Sequence, residues 1–203
     1  MLLAPGLVYA PGFLDAAAQR DMAADIASVV AQAPWFVPRM PRTGRAFSVR
    51  MTNCGELGWV SDQAGGYRYQ VAHPETGRPW PPIPASVLKV WDELSGHPRP
   101  PQACLVNFYD GAARMGAHQD RDEEDFSAPV VSISLGDTCV FRYGGERRRD
   151  PSKKLELVSG DVVVLGGASR LIFHGVDKVL GGSSRLAPGG GRINLTLRRV
   201  GRA

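Results

Sequence analysis

Apolar residues recur at helical spacing in two stretches of the first half of the chain, and gather in short β-rich runs through the second half. Met22, Ile26, Val29 and Val30 share a face of AAAQRDMAADIASVVAQA, with Asp15 placed to cap that helix and Pro34 to stop it. Val87, Leu88, Trp91 and Leu94 share a face of a second helix over 85–94, and Gly96 lies just past its end. Between them, from Trp35 to Pro82, glycines, prolines and aromatics follow one another with little periodicity. That predicts short strands and loops of the kind that form a lid or binding surface. From Gln102 onward the chain reads as short β-rich runs: ACLVNFY, VVSISL, TCVFRY, KKLELV, DVVVLG, RLIFHG and RINLTLRRV, separated by turn residues that include PGGG at 188–191. The expectation is a mainly β (α+β) fold, a sandwich or jelly roll with the helices buttressing one sheet, in a single domain over residues 1–203.

Composition narrows this picture only slightly. At 203 residues the chain suits one well-packed domain. Its 43% hydrophobic and 22% charged residues favour neither a disordered nor a membrane protein. A formal charge of +4 permits a polyanionic partner without requiring one. Cys54, Cys104 and Cys139 are odd in number and lack a Cys-x-x-Cys pair, which argues against a disulfide framework and a zinc knuckle and for reduced thiols. The opening MLLAPGLVYAPGFL is apolar, but prolines and glycines break it and no basic segment leads it. It resembles neither a signal peptide nor a spanning helix, so a cytoplasmic address without membrane contact is expected.

Candidate chemistry begins at GAHQDRDE. His118 and Asp120 lie two apart, and in extended chain such residues point to one side. A third donor is available in His174, read as the end of the strand RLIFHG, in a chain with four histidines; His73 and His97, each beside a proline, read as loop residues. Two histidines and one carboxylate on one face of an octahedron leave the opposite positions open, the arrangement of non-haem Fe(II) oxygenases. Taken alone, His-x-Asp is common in surface loops, so the last strand matters.

In RINLTLR, the apolar Ile193, Leu195 and Leu197 alternate with Arg192, Asn194, Thr196 and Arg198. Six residues of strand set the two arginines about 20 Å apart, and side chains reaching inward would leave roughly the length of a five-carbon diacid between them. Asn107 and Tyr109 share a face of LVNFY and could donate hydrogen bonds to the same acid. The alternative is an amphipathic strand with its arginines in solvent.

The combination of His118-Gln119-Asp120, His174 and Arg192 to Arg198 resembles the AlkB family of alkylated-DNA and RNA repair dioxygenases, closest to the bacterial prototype. The similarity runs from about Gly6 to the C-terminus and includes MTNCGELGW, ACLVNFY, APVVSISLG and GDVVVLGG. It implies a double-stranded β-helix (jelly roll) with a nucleotide-recognition lid over about 35–82. It implies Fe(II) on His118, Asp120 and His174, and 2-oxoglutarate on Asn107, Tyr109, Arg192, Asn194 and Arg198, with O2 as the second co-substrate. Substrate contacts carry over to Trp59, Tyr67, Tyr69, Asp122 and Arg148, with Met51 a further candidate. One departure stands out, an extra glycine at Gly65-Gly66.

The activity that the resemblance implies is oxidative dealkylation of bases such as 1-methyladenine and 3-methylcytosine in DNA, with RNA as a further substrate to test; a monomer is expected. Oxidation is coupled to conversion of 2-oxoglutarate to succinate and releases formaldehyde from a methyl group. Trp59 would stack on a flipped-out base, with His118 or His174 on the opposite side. Asp122 would favour a cationic lesion, and the basic run Arg147, Arg148, Arg149, Lys153 and Lys154 would offer phosphate contacts. The residues alone leave open an oxygenase of the same class acting on a protein side chain or small molecule, and a non-catalytic nucleic-acid binder.

Overall fold

The computed structural model describes residues 1–186 and 189–201, so Pro188 of the PGGG turn lies outside the described residues. In chain order the elements are β1 (Leu2–Ala4), β2 (Leu7–Ala10), α1 (Ala16–Gln32), β3 (Arg50–Gly55), β4 (Gly58–Asp62), β5 (Gly66–Gln70) and α2 (Ala85–Leu94). They continue with β6 (Ala103–Tyr109), β7 (Met115–His118), β8 (Val130–Gly136), β9 (Thr138–Tyr143), β10 (Lys153–Leu157), β11 (Val162–Leu165), β12 (His174–Leu180) and β13 (Arg192–Arg198). Asp15 caps α1 by accepting from the backbone N–H of Ala17 and Ala18. Gly96, with φ of 61°, follows α2.

Two sheets carry the fold. The larger runs β1-β2-β11-β8-β13-β6-β3, the smaller β10-β9-β12-β7, and the pairing within both is antiparallel. The larger sheet is covered on both faces, which explains why its strands alternate between two kinds of buried residue. Val131, Ile133 and Leu135 of β8 and Leu195 and Leu197 of β13 pack in one core with Met22 and Ile26 of α1 and Val87 and Trp91 of α2. The opposite face looks into the space between the sheets, where Leu105, Tyr109, Phe141, Leu157, Leu165 and Val176 form a second core. The arginine-bearing face of β13 therefore points inward; Arg192 is 1% exposed and Arg198 6%. The solvent-facing alternative for this strand is excluded.

One expectation needs correcting. RLIFHG is not a strand ending at His174: Gly167–Ser169 is a 3-10 turn, and β12 begins at His174. The opening segment supplies β1 and β2, and Leu7–Ala10 pairs with β11. Within the stretch 35–82, RMTNCG forms β3 and pairs with β6 from Arg50↔Phe108 to Gly55↔Ala103. The hairpin β4–β5 is a separate two-stranded sheet, and the extra glycine falls in its turn, where the N–H of Gly65 donates to Asp62 Oδ1 at 2.7 Å. All three cysteines are free and buried.

Candidate metal centre

His118 ends β7 and His174 begins β12, and the two are direct partners across the antiparallel pair. Cross-strand pairing therefore converges two imidazoles that lie far apart in sequence, with ring centroids 4.6 Å apart. Gly175 permits the approach: a Cβ there would sit 2.5 Å from the carbonyl oxygen of Met115. Asp120, just past the strand, adds a carboxylate. His118 Nε2 lies 3.7 Å from Asp120 Oδ1 and His174 Nε2 3.7 Å from Asp120 Oδ2. One donor atom from each of the three lies within 4.8 Å of the others.

The tautomers suit a metal. Nδ1 of His118 faces the carbonyl of Gly116 at 2.9 Å, and Nδ1 of His174 that of Ile172 at 3.1 Å. A carbonyl only accepts, so each Nδ1 carries a proton and Nε2 is the nitrogen of each ring turned toward Asp120 and left to bind a metal. Burial, then the neighbouring His118, push the His174 imidazole down to about 4, which leaves it neutral at physiological pH. Burial alone would raise the Asp120 carboxyl, but Arg198, His174 and His118 together hold it well below the usual carboxylate range. Asp120 Oδ2 is buried without a hydrogen-bond partner, an arrangement that a cation would complete.

Behind the triad lies a pocket lined by Asn107, Tyr109, Asn194 and both strand arginines. The register explains the set: Arg192 pairs with Tyr109 and Asn194 with Asn107 on facing strands. Arg192 Nη2 donates to Ser134 Oγ at 2.9 Å, while its Nε and Nη1 are buried with no partner, as is Asn107 Oδ1. An isolated guanidinium at the far end of a closed pocket calls for a carboxylate. Arg198, at the near end, donates to Asp120 Oδ1 at 2.8 Å. The donors thus fit a divalent metal beside an acidic co-substrate.

Outside, the triad opens into a cavity of about 900 Å³ whose lining includes Met51, Trp59, Tyr67, His118, Asp122 and Arg148. Its volume falls in the range of small-molecule sites and admits a nucleobase. The Trp59 indole donates to Asp122 Oδ2 at 2.8 Å, stacks on Tyr67 at 5.6 Å, and meets Phe47 edge-on. His118 lines both spaces whereas His174 lines the inner one alone, so of the two histidines only His118 borders the cavity that Trp59 also lines. Met51 reaches the cavity from β3.

Two expected groupings come apart. Tyr69 does not line the cavity; its hydroxyl donates to Glu123 and accepts from Arg198 Nη1 at 3.3 Å. Of the basic run, Arg148 lies over the Phe173 ring, donates to the Ala117 carbonyl and lines the cavity, whereas Lys154 is 3.1 Å from Asp177 on the smaller sheet. Sequence reasoning missed Ser134, Glu123 and Arg170. The alternation of VVSISL could have shown that Ser132 and Ser134 face Arg192 and Asn194, but nothing singles out Glu123 within HQDRDEED. His73 and His97 are loop residues, as expected, with His73 Nε2 on the Pro34 carbonyl at 2.8 Å.

Residues 6–198 match the 2OG-Fe(II) oxygenase superfamily. The chain is 54% identical over 200 residues to the alpha-ketoglutarate-dependent dioxygenase AlkB homolog of Caulobacter vibrioides, covering 98% of this chain and 90% of the relative. It is 42% identical over 204 residues to the alpha-ketoglutarate-dependent dioxygenase AlkB of Escherichia coli, covering 98% and 93%. Among solved structures, that of OsALKBH1 superimposes with a TM-score of 0.77 at 32% identity, over 98% of this chain and 100% of that one.

Proposed function

The chain belongs to the AlkB family of the 2OG-Fe(II) oxygenase superfamily, and from that membership we propose that it oxidatively removes alkyl groups from nucleic-acid bases, cationic 1-methyladenine and 3-methylcytosine suiting the site best. One observation carries the reading. The donors of His118, Asp120 and His174 meet where an arginine-ended inner pocket opens into a base-sized cavity.

The parts divide the work. His118 Nε2, His174 Nε2 and a carboxylate oxygen of Asp120 would hold Fe(II). Arg192, with its two unpartnered nitrogens, would take the far carboxylate of 2-oxoglutarate, helped by Tyr109, Asn107 and Asn194. When bound, iron with 2-oxoglutarate and O2 supplies the oxidation of the N-alkyl carbon, releasing succinate, carbon dioxide and, from a methyl group, formaldehyde. Trp59, fixed by Asp122, presents a flat surface to a base drawn out of its strand, with His118 opposite. The same Asp122 carboxylate stabilises a base that alkylation has made cationic. Arg148 stands at the cavity wall, where a phosphate can meet it.

The recognition surface comprises the hairpin β4–β5 and the loop before β3, both of which contribute cavity residues. Residues 1–203 act as one domain in this reading, because the helices and both sheets share continuous cores. Among the described residues no helix is long and apolar enough to cross a membrane. A monomer and a cytoplasmic address complete the proposal, the address supported by three buried free thiols of a kind that reducing compartments maintain.

Incubating DNA and RNA oligonucleotides that carry single defined lesions with protein, Fe(II), ascorbate and 2-oxoglutarate tests it. Loss of the methyl mass with release of formaldehyde is expected. Unchanged oligonucleotides across the panel would reject the reading.

A further inference from the structure

Glu123 is not one of the three metal donors, and although it borders the base cavity its carboxylate is among the most deeply enclosed charges of the molecule, its side chain 1% exposed. Such a group is kept only when partners offset its lost hydration. Oε2 accepts from Arg170 Nη2 at 3.0 Å. Oε1 accepts from the Tyr69 hydroxyl and lies 3.4 Å from Arg198 Nε. Both oxygens are thus engaged by the chain's own donors.

Those donors come from three separate places: Tyr69 from the hairpin strand β5, Arg198 from the end of β13, and Arg170 from the turn before β12. Two of them go on to the metal face. Arg198 Nη2 donates to Asp120 Oδ1 at 2.8 Å, and Arg170 Nη1 donates to the Asp120 backbone carbonyl at 2.7 Å. Asp120 and Glu123 balance Arg170 and Arg198 in charge, so none of the four can be moved alone without leaving a buried charge unmatched.

We propose that Glu123 is a positioning residue: through Arg198 it sets how Asp120 and the co-substrate carboxylate are held, and through Tyr69 it ties the recognition hairpin to the same face. The inference rests on the dioxygenase reading of the site. Binding of a metal and a dianion changes what Asp120 and Arg198 must share, and Tyr69 is the hydrogen-bonded link by which that change reaches β4–β5. The coupling runs both ways, so an ordered hairpin favours a loaded site.

Two variants test this with Mn(II) in place of iron. Amide exchange over residues 58–70 is compared with and without Mn(II) and 2-oxoglutarate. In the parent protein loading slows exchange of the hairpin; in Tyr69→Phe that slowing shrinks at least threefold, while the slowing over 174–180 and 192–198 persists. A hairpin that responds in Tyr69→Phe as in the parent overturns the proposal. Glu123→Gln keeps the shape and removes the charge. Taking a negative charge from beside Arg198 should by itself tighten a dianion; lost positioning instead raises the 2-oxoglutarate Kd at least fivefold, read by calorimetry with Mn(II) and no nucleic acid. Unchanged or tighter binding, or a rise confined to the KM of the methylated strand, overturns it. If Glu123→Gln does not fold, the Tyr69→Phe result decides. A parent protein that binds no 2-oxoglutarate with Mn(II) removes the dioxygenase reading itself, and the proposal with it.

Discussion

Asp122 does two jobs with one carboxylate: it fixes the edge of Trp59 through a 2.8 Å hydrogen bond and brings negative charge to the cavity wall. The two are separable. Asp122→Asn keeps an oxygen that can accept from the indole, so stacking survives while the charge is gone. Discrimination should then fall selectively. A charge-assisted contact is worth about 1.5–3 kcal/mol against roughly 0.5–1.5 for a neutral one, so kcat/KM for cationic 1-methyladenine should drop about tenfold relative to a neutral alkylated base such as 1-methylguanine. Equal losses on both substrates would show that the carboxylate acts only by placing Trp59. The comparison is made on oligonucleotides of one sequence, with 2-oxoglutarate saturating.

At the scale of elements, the site is built where strands are forced into register, and two devices hold them there. Gly175 lets β12 press against β7 beneath the paired histidines. In Gly175→Ala the new methyl meets backbone rather than a yielding side chain, so the strands must part. Mn(II) affinity should fall about 10- to 100-fold, the scale seen when groups that orient metal ligands are lost, while far-ultraviolet circular dichroism stays that of a folded β protein. Unchanged affinity would mean that the close approach does not set the donor spacing. The second device is Asp137, between β8 and β9, whose buried carboxylate accepts from the N–H groups of Gly182, Ser184 and Gly191 and so anchors the chain just before Arg192. Burial alone would raise its pKa, but the N–H donors of Gly191, Ser184 and Gly182 hold it lower. A depressed carboxyl contributes stability that is present above its unfolded value of about 3.9 and is lost as pH falls through the folded one. Urea denaturation should therefore show Asp137→Asn weaker than the parent at pH 7, and the gap narrowing below about pH 4. A gap independent of pH would assign the loss to packing.

The same elements show what the pattern of residues can reveal. Both helices are legible to their ends, because an N-cap, a proline and a left-handed glycine are local signals. Most second-half strands are also legible as β-rich runs between turn residues, and alternation in the last of them puts Arg192, Asn194 and Arg198 on one face. Alternation does not say which face is outside. In β13 the polar side turns inward, since helices cover the apolar side and the co-substrate pocket needs the charge. Pattern alone misplaces His174 within its strand because RLIFHG looks uniformly β-like, whereas the turn at Gly167–Ser169 depends on tertiary contacts such as the Ser169 hydroxyl on the Pro5 carbonyl. The pairing of Tyr69 with Glu123 is out of reach for a related reason: a hydrogen bond between residues 54 apart leaves no periodic trace.

For the molecule as a whole, the consequence is that the site exists only in the assembled fold. The triad draws on β7, the turn after it and β12, and the co-substrate pocket on β6, β8 and β13, so the unfolded chain offers neither a metal seat nor a dicarboxylate seat. Anything that binds only the native state stabilises it by mass action, about 2.7 kcal/mol at a hundredfold excess over Kd. In a chain of this length 1 kcal/mol moves the melting temperature by roughly 2–4 °C. Loading with Mn(II) and 2-oxoglutarate should therefore raise Tm by roughly 5–10 °C over the metal-free protein. A chelator should reverse the gain. His118→Ala provides the control, because the imidazole is 40% exposed and its loss costs the core little. That variant should melt close to the metal-free parent and gain almost nothing on loading. If it were stabilised as much as the parent, the ion would be bound elsewhere, and the convergence of the three donors would have to be read as an internal ion-pair cluster instead.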